Sequence, residues 1–379
     1  MKHKRHLLVL DPIAFFGGSK LATENILRQL DGGNIQVTLL TVDRQSWSWR
    51  QLRCRSLFEV PFLARQTHGI PYFIRHVLIA IQLIITRYKT TPFDVALGAS
   101  GPGVDFALYL AKPFLGYQII QLVHGNVACS RTIGRCLLLA DEIHYLESTK
   151  ESLLSALRKF SRGRSISPTH LRVMQNGLLD SAWPSRCQMV RPVILWAASL
   201  MPWKRIDLFI DALSLLDEAE RCETHICFIR PKNTPSAHYQ PFASDTLHWH
   251  ESPNNIDSLR AQANIFVSTS HQEPFGLSIL EAMAAGHCVL IPTDGAYWDR
   301  QLVNGLNCIK YPANDACALS RTVAALTKNM PLVRSLGLAA AKKAQQYQAA
   351  NCYAPLKNSL LGISHITPPK SAIDQELAR

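Results

Sequence analysis

The stretch HQEPFGLSILEAMAAG, from His271 to Gly286, decides the interpretation of this chain. It places two carboxylates, Glu273 and Glu281, on either side of a turn at Gly276, and the residues Leu277–Ala285 after the turn are predicted to form a helix. The N-terminus of a helix presents free backbone N–H groups and the positive end of the helix dipole, which suits a phosphate group. Carboxylates flanking that turn can bind hydroxyl groups, so the stretch predicts a site for a nucleotide sugar.

The two glutamates separated by seven residues, within the string EPFGLSILEAMAAG, resemble the donor-binding element of retaining GT-B glycosyltransferases of glycosyltransferase family 4. The resemblance implies that Glu273 holds hydroxyls of the transferred sugar and that Glu281 binds the ribose. The N–H groups of Gly276 and Leu277 would contact the diphosphate. A simpler interpretation stays open, because Ser278 and Glu281 have the spacing of a capping box, and Glu281 could merely cap its helix.

A second stretch, LWAASLMPWKRIDLFIDAL from Leu195 to Leu213, resembles the family segment in which a strand ends in an arginine and a lysine follows. In the family both side chains face the donor diphosphate, where cations stabilise the leaving group. Lys204 matches the lysine, whereas Ser199 stands at the arginine position. Arg205 is the candidate to supply the missing charge. An ordinary basic helix start is the alternative, although cations are unfavourable at that end of the helix dipole.

Two features of the N-terminal half also match the resemblance. Gly17 and Gly18 follow the first predicted strand and open a helix, with Ser19 as the predicted N-cap, as in the family's glycine loop where acceptor and donor meet. This loop is not GxGxxG, so a nicotinamide cofactor is not indicated. His124 ends the strand QIIQLVH and takes the place of the family histidine near the transferred sugar. A tight turn and a structural histidine are the simpler alternatives.

Strand and helix signals alternate through most of the chain, which predicts an α/β protein with doubly wound parallel sheets. The predicted strands are His6–Leu10, Gln36–Val42, Asp94–Ala99, Gln118–His124, Glu142–Leu146, Leu171–Gln175, Val193–Ala198, His225–Ile229, Leu247–Trp249, Ile265–Ser268 and Val289–Ile291. A linker near Asn176–Arg191 divides an acceptor-side domain, residues 1–182, from a nucleotide-sugar-binding domain, residues 186–348. The resemblance implies the GT-B fold, with two Rossmann-like domains facing across a cleft and a helix at about 350–365 crossing back onto the first.

Composition and charge limit the class of protein and its partners. The 379 residues are 47% hydrophobic and 18% charged, as in a globular protein of two domains, and the ten cysteines contain no CxxC pair, as in a cytoplasmic protein with reduced thiols. The net charge of +12 is concentrated in the N-terminal half. The basic excess in that half predicts an anionic partner, which could be membrane phospholipid, lipid-linked phosphate or nucleic acid, although a solvated basic surface without a partner is an equal alternative. No interleaving of aromatic and basic residues indicates nucleic acid.

The segment Pro71–Lys89, PYFIRHVLIAIQLIITRYK, is apolar with basic residues at both ends. It could lie on a membrane surface. Its apolar residues cover nearly the whole circumference of the helix, however, and this favours a helix packed on a sheet. Elsewhere in the sequence no DxD triad and no zinc-type spacing of His and Cys occurs, so neither a metal nor a cofactor is expected besides the nucleotide sugar.

The sequence therefore predicts a metal-independent retaining glycosyltransferase. It would move a sugar from a nucleoside diphosphate, with UDP expected, to a hydroxyl of a cell-envelope glycan or lipid-linked acceptor at the inner face of the cytoplasmic membrane. Such acceptors include lipopolysaccharide core, O-antigen and exopolysaccharide. Two alternatives stay open: another GT-B enzyme, such as a nucleotide-sugar epimerase or a phosphorylase, and a non-catalytic binding protein whose donor site has decayed.

Overall fold

A computed structural model describes residues 4–14, 17–161, 170–230 and 244–363. The chain forms two compact units, which divide between Gly177 and Leu178 and again between Gln348 and Ala349. Residues before the first division and after the second form unit 1, and residues 178–348 form unit 2. The last residues of the predicted crossing helix, 364 and 365, lie outside the described residues.

Unit 1 contains a parallel sheet of seven strands in the described residues, in the order β3-β2-β1-β4-β5-β6-β7. The strands are β1 (Arg5–Asp11), β2 (Ile35–Thr41), β3 (Arg53–Ser56), β4 (Val95–Gly98), β5 (Gln118–Val123), β6 (Glu142–Leu146) and β7 (Leu171–Met174). The central strands are apolar and almost fully buried, because helices cover both faces of a parallel sheet.

The helices of this part of unit 1 are α1 (Gly18–Arg28), α2 (Pro61–Ala64), α3 (Gly69–Tyr88), α4 (Phe106–Leu115), α5 (Arg131–Leu139) and α6 (Lys150–Ser161). The predicted N-cap of the first helix is wrong. The helix begins at Gly18 with Gly17 as its N-cap, and Ser19 is the second helical residue. A glycine supplies no side chain for a cap, so backbone N–H groups at this end have no side-chain cap among the described residues.

The sequence prediction missed β3 and α2. β3 is a short edge strand of mostly exposed residues, and α2 is a single turn of helix. Neither segment is long enough to show the periodicity by which strands and helices are recognised.

Unit 2 repeats the architecture with six parallel strands in the described residues, in the order β10-β9-β8-β11-β12-β13. The strands are β8 (Ile194–Ser199), β9 (Thr224–Ile229), β10 (Leu247–Glu251), β11 (Ile265–Val267), β12 (Cys288–Thr293) and β13 (Ile309–Pro312). The helices are α7 (Ile206–Ser214), α8 (Ile256–Gln262), α9 (Leu277–Ala285), α10 (Tyr297–Gln301), α11 (Ala316–Thr327) and α12 (Met330–Ala344). The predicted bounds of α9 agree with the structure at both ends.

The C-terminal segment returns to unit 1 as α13 (Ala349–Cys352) and α14 (Ala354–Leu361). Tyr353 between them is fully buried, and its hydroxyl lies 3.4 Å from the Asn176 side chain. The hydroxyl of Ser359 donates to the Glu142 carboxylate at 2.6 Å. These contacts fix the returning segment against β6 and the end of the first stretch of unit 1.

In both sheets the order of strands reverses at one place, between β1 and β4 in unit 1 and between β8 and β11 in unit 2. Doubly wound sheets bind ligands outside the carboxyl ends of the strands at such switch points. The topology therefore identifies the loops after β1 and β4, and after β8 and β11, as the places to search for a site.

Helix α3, which was expected to pack on a sheet, packs on unit 1 with one face only. One face, which includes Ile79 and Leu83, belongs to the core of unit 1. The opposite face is exposed although it is also apolar, with Ile70 and Tyr88 exposed by 76% and 84%. The expectation that the helix packs on the unit is thus correct for one side of it only.

Candidate functional site

The strongest candidate site lies at the switch point of unit 2. The loop after β8 ends in a short 3-10 turn, Pro202–Lys204, and the loop after β11 runs to Gly276. Both loops leave the sheet at the carboxyl ends of neighbouring strands, so side chains far apart in sequence meet here.

Hydrogen bonds connect the two loops directly. The hydroxyl of Thr269 donates to the Lys204 carbonyl at 2.8 Å and accepts from the indole N–H of Trp196 at 3.0 Å. The backbone N–H of His271 donates to the carbonyl of Trp203 at 2.8 Å. The two loops therefore hold each other in a fixed relation, and the side chains that they carry are positioned together.

Lys204 and Glu273 form an ion pair within this pair of loops, between the lysine Nζ and the carboxylate Oε2. Each side chain is only 12% exposed. The ammonium group also lies 4.0 Å from the ring centroid of Trp203, a cation–π contact. The structure thus brings together two predicted site residues, one cationic and one anionic, that are partly removed from water.

The N-terminus of α9 begins beside this pair. Its N-cap, Gly276, has a left-handed backbone with φ of 76°, and a Cβ at this position would lie 2.9 Å from Cγ of Glu273. No side chain caps the helix among the described residues. The first N–H groups of the helix, starting at Leu277, are therefore available in the way that an anion-binding helix end requires.

The capping-box interpretation of Glu281 is wrong. The helix starts at Leu277, so Ser278 is its second residue and not its N-cap. Glu281 is the fifth residue, one turn further along. Its carboxylate accepts a hydrogen bond of 2.6 Å from the guanidinium of Arg260, which is itself buried. Burial raises the pKa of Glu281, and the charge of Arg260 opposes that rise.

Arg205, the other predicted cation, is directed elsewhere. Its backbone is left-handed, with φ of 52°, and its guanidinium contacts the Asp207 carboxylate at 2.9 Å and the Asn314 side chain at 2.5 Å. Ser199, at the position where the resemblance predicts an arginine, is the last residue of β8. The structure therefore does not bring Arg205 into the contact that joins Lys204 and Glu273.

The loop after β12 completes the surroundings of the glycine turn. The Asp294 carboxylate accepts from the backbone N–H of Gln272 at 2.6 Å. The indole N–H of Trp298 donates to the carbonyl of Gly276 at 3.2 Å, and its ring packs against Phe275 and Tyr347. Trp298 is 2% exposed, so its ring packs inside the unit and is not accessible for stacking on a base.

A second candidate site lies at the switch point of unit 1. A small pocket there is lined by residues from the ends of β1 and β4, from the start of α1 and from the segment between β2 and β3: Asp11, Ile13, Gly17, Ser19, Lys20, Thr23, Trp47, Ala99 and Ser100. Gly17 thus lies on the pocket wall. A Cβ at Gly18 would meet no atom within 4 Å, so that position is open.

The sequence analysis did not identify the ion pair between Lys20 and Asp11 in this pocket. The ammonium of Lys20 lies 2.9 Å from the Asp11 carboxylate, and both side chains are about 5% exposed or less. Asp11 also accepts from the hydroxyl of Thr41 and the indole of Trp47, each at 2.8 Å. A lysine just after the glycine pair, and an aspartate at the end of the first strand, are the signals from which it could have been found.

His124 follows β5 in the same sheet. Both ring nitrogens are buried and have no hydrogen-bond partner among the described residues. Burial lowers the pKa of His124 to about 4, so the imidazole is neutral at physiological pH. A neutral ring with two unpartnered nitrogens can donate to or accept from a ligand.

Within the part of the chain that the structure describes, no three or more His, Cys, Asp or Glu side chains form a group that could hold a metal ion.

Residues 191–329 match the family model described as glycosyl transferases group 1, a stretch that is less than half of the chain but contains Lys204, Glu273, Gly276 and Glu281. No curated protein sequence matches the chain.

Among solved structures, HepE from Anabaena in complex with UDP-glucose is similar with a TM-score of 0.72 and 15% identity, covering 94% of this chain and 100% of that one. Sucrose-phosphate synthase from Thermosynechococcus elongatus has a TM-score of 0.72 and 15% identity, covering 95% and 100%. WaaG, a glycosyltransferase involved in lipopolysaccharide biosynthesis, has a TM-score of 0.68 and 13% identity, covering 94% and 100%. The predicted fold is confirmed: the chain has the GT-B fold, with two Rossmann-like units.

Proposed function

We propose that this protein is a retaining glycosyltransferase, which moves a sugar from a nucleoside diphosphate donor to an acceptor hydroxyl. The donor would be UDP-linked, and the acceptor would be a cell-envelope glycan or a lipid-linked glycan. The GT-B fold and the family match over residues 191–329 support the class of reaction. The choice of UDP is supported by analogy with HepE, whose structure contains UDP-glucose.

One observation carries the proposal: the Lys204–Glu273 ion pair beside the N-terminus of α9, at the switch point of unit 2. A diphosphate bound there would meet the ammonium of Lys204 and the N–H groups of Gly276 and Leu277. The ammonium is cationic and the N–H groups are partly positive, so all of them would stabilise the negative charge that develops on the leaving group. Glu273 would then exchange its lysine partner for hydroxyl groups of the transferred sugar.

The other predicted residues receive roles consistent with their contacts. Glu281 would bind the ribose, since Arg260 holds its carboxylate in one orientation. His124, neutral and unpartnered among the described residues, would contact the transferred sugar. Gly17 and Gly18 would contribute the loop where acceptor and donor meet. Arg205 would reach the donor only by leaving Asp207.

Chemically, the reaction breaks the bond between the anomeric carbon and the diphosphate oxygen and forms a bond from that carbon to the acceptor oxygen. The proton of the acceptor hydroxyl leaves with the diphosphate. Positive charge develops on the sugar ring, and the carboxylate of Glu273 would stabilise it. We assign the diphosphate charge to Lys204 and the helix end, so the proposal needs no metal.

Ser199 favours one competing function, a binding protein with a decayed donor site, because one of the two expected cations is missing. The contacts of Arg205 with Asp207 and Asn314 strengthen this alternative, since they occupy the candidate replacement. Another GT-B enzyme, an epimerase or a phosphorylase, would use the same donor site. It would convert the nucleotide sugar without an acceptor glycan or with inorganic phosphate.

Calorimetric titration with UDP-, GDP- and ADP-sugars tests donor binding, and release of nucleotide with and without acceptor glycans tests transfer. We expect a UDP-sugar to bind the protein, and Lys204→Met to weaken its binding by about tenfold or more. Lys328→Met is the matched control, because Lys328 also pairs with a glutamate of unit 2 but is 65% exposed.

Three results would contradict the proposal in distinguishable ways. Failure of every nucleotide sugar to bind rejects the donor site. Binding without any turnover supports the decayed site. Conversion of the donor in the absence of a glycan acceptor supports the epimerase or phosphorylase.

A further inference from the structure

Helix α3 presents a continuous apolar face to solvent. The residues exposed on this face follow the helical repeat, at intervals of three and four: Ile70, Phe73, Ile74, Val77, Leu78, Ile81, Ile85 and Tyr88. Apart from Gly69, these are all the residues of α3 in the exposed class, and none carries a charge. The solvent-facing residues of a surface helix are normally polar, so an apolar exposed face of this length indicates a partner.

The opposite face fixes the helix in unit 1. Ile79, Ala80 and Leu83 belong to the core of the unit, and the hydroxyl of Tyr72 donates to the Gly103 carbonyl at 2.6 Å. By length and composition α3 is apolar enough to cross a membrane. Because one side is packed into the unit, however, the structure supports contact along the helix and not passage through a bilayer.

The segment before the helix extends the apolar face. The side chain of Gln82 donates to the Phe58 carbonyl at 2.8 Å and accepts from the Phe58 N–H at 2.9 Å. Arg75 forms an ion pair with Glu59. These bonds hold the segment along α3, where Phe58 and Phe62 are 72% and 68% exposed. We call the exposed residues of α3 together with Phe58 and Phe62 the apolar face.

The stretch of sequence that contains the apolar face is strongly basic. Residues 44–93 contain eight Lys or Arg residues and a single acidic residue, Glu59, which Arg75 neutralises. Arg65 precedes α3 and Lys89 follows it, and both are exposed. Basic residues at both ends of an apolar surface suit the headgroups of anionic lipids.

We propose that the apolar face docks onto the surface of a bilayer that contains anionic lipids, with α3 lying in the plane of the interface. The apolar side chains would enter the boundary between headgroups and acyl chains, and the basic residues would contact the headgroups. A second copy of the chain fits less well, because pairing two such faces would bring basic surroundings against each other. Membrane docking goes beyond the proposed sugar transfer, and it can be tested without a sugar donor or acceptor.

Cosedimentation with vesicles tests the inference. We expect the protein to bind vesicles containing about a quarter phosphatidylglycerol at least about tenfold more strongly than vesicles of phosphatidylcholine alone, with binding weakened by salt. The triple variant Ile74→Glu, Leu78→Glu, Ile81→Glu should lose at least about tenfold of this binding. All three side chains are exposed, so the variant should keep the unfolding midpoint of the wild type.

The matched control is the triple variant Leu215→Glu, Leu306→Glu, Leu338→Glu, which adds the same charge at exposed leucines of unit 2. It should bind vesicles as the wild type does. No binding by the wild type, or an equal loss in the two triple variants, would refute membrane docking. A dimer seen by light scattering that only the α3 variant dissociates, without vesicle binding, would assign the face to a second copy instead.

Discussion

Replacing Glu273 by glutamine separates two roles of that carboxylate. In the structure it neutralises Lys204, and in the proposed reaction it stabilises positive charge on the transferred sugar. Glutamine keeps the size of the side chain and an oxygen that Lys204 can donate to. It removes only the charge, so every effect of Glu273→Gln is an effect of electrostatics.

The magnitude for stability follows from the partial burial of the pair. Exposed pairs contribute about 0.2–1 kcal/mol, whereas breaking a fully buried pair costs about 3–5 kcal/mol. Lys204 and Glu273 are each 12% exposed, and the glutamine retains a hydrogen bond. We therefore expect Glu273→Gln to lower the free energy of unfolding by about 1–2 kcal/mol.

The magnitude for activity should be larger. Loss of one electrostatic group from a preorganised site typically lowers kcat by about 10²–10³-fold. Affinity for UDP alone should change by less than about tenfold, because the variant releases Lys204 for the diphosphate. Urea denaturation, calorimetric titration with UDP and release of nucleotide from the donor measure the three quantities. Glu220→Gln is the control, since it removes the carboxylate charge from a more exposed glutamate–lysine pair of the same unit.

Transfer at the wild-type rate by the folded Glu273→Gln variant would refute the catalytic role. A loss of UDP affinity as large as the loss of transfer would also refute the catalytic role, because Glu273 would then contribute to nucleotide binding and not to the transfer step. A double variant with Lys204→Met shows whether the two residues act through each other. If they do, the two losses of stability will not add.

Three further substitutions test other contacts. Glu281→Gln should keep the hydrogen bond from Arg260 and weaken donor binding more than it lowers stability, whereas unchanged donor affinity in calorimetry would leave Glu281 a structural partner of Arg260. Arg205→Gln should weaken donor binding less than Lys204→Gln, because Asp207 already holds the guanidinium, and equal losses in titration would show that Arg205 leaves that contact on binding. Burial lowers the pKa of His76 from 6.5 to about 3. As the pH falls below about 6.5, the unfolded chain therefore binds a proton at His76 that the folded chain does not bind. The free energy of unfolding falls as a result. His76→Phe should therefore raise stability by about 2 kcal/mol more at about pH 5 than at about pH 7, and equal effects in urea denaturation at the two pH values would contradict this.

The local pattern around Gly276 was sufficient to predict α9, because the glycines that flank the helix, Gly276 and Gly286, mark its two ends in the sequence. The alternation of strands and helices likewise predicted two doubly wound sheets. The edge strand β3 and the one-turn helix α2 could not be predicted in this way, since each is shorter than the window over which periodicity appears.

Such sequence patterns could not predict which side chains, distant in the sequence, contact each other in the folded unit. Sequence spacing gave Lys204 and Glu273 separate roles, yet they form an ion pair because β8 and β11 are neighbours in the sheet. It likewise gave no indication that Arg260 holds the carboxylate of Glu281. Which residues face each other depends on strand order, and strand order is a property of the whole unit and not of any short segment.

By itself, the sequence determined most of the longer helices and strands, the glycine turn and the residue types available for binding a nucleotide sugar, because these depend on neighbours along the chain. Only the tertiary structure decided which side of α3 is buried. Both faces of that helix are apolar, so periodicity cannot distinguish the face that packs into unit 1 from the one that stays exposed. Packing against the rest of the unit covers one face only, and the other is left for a partner.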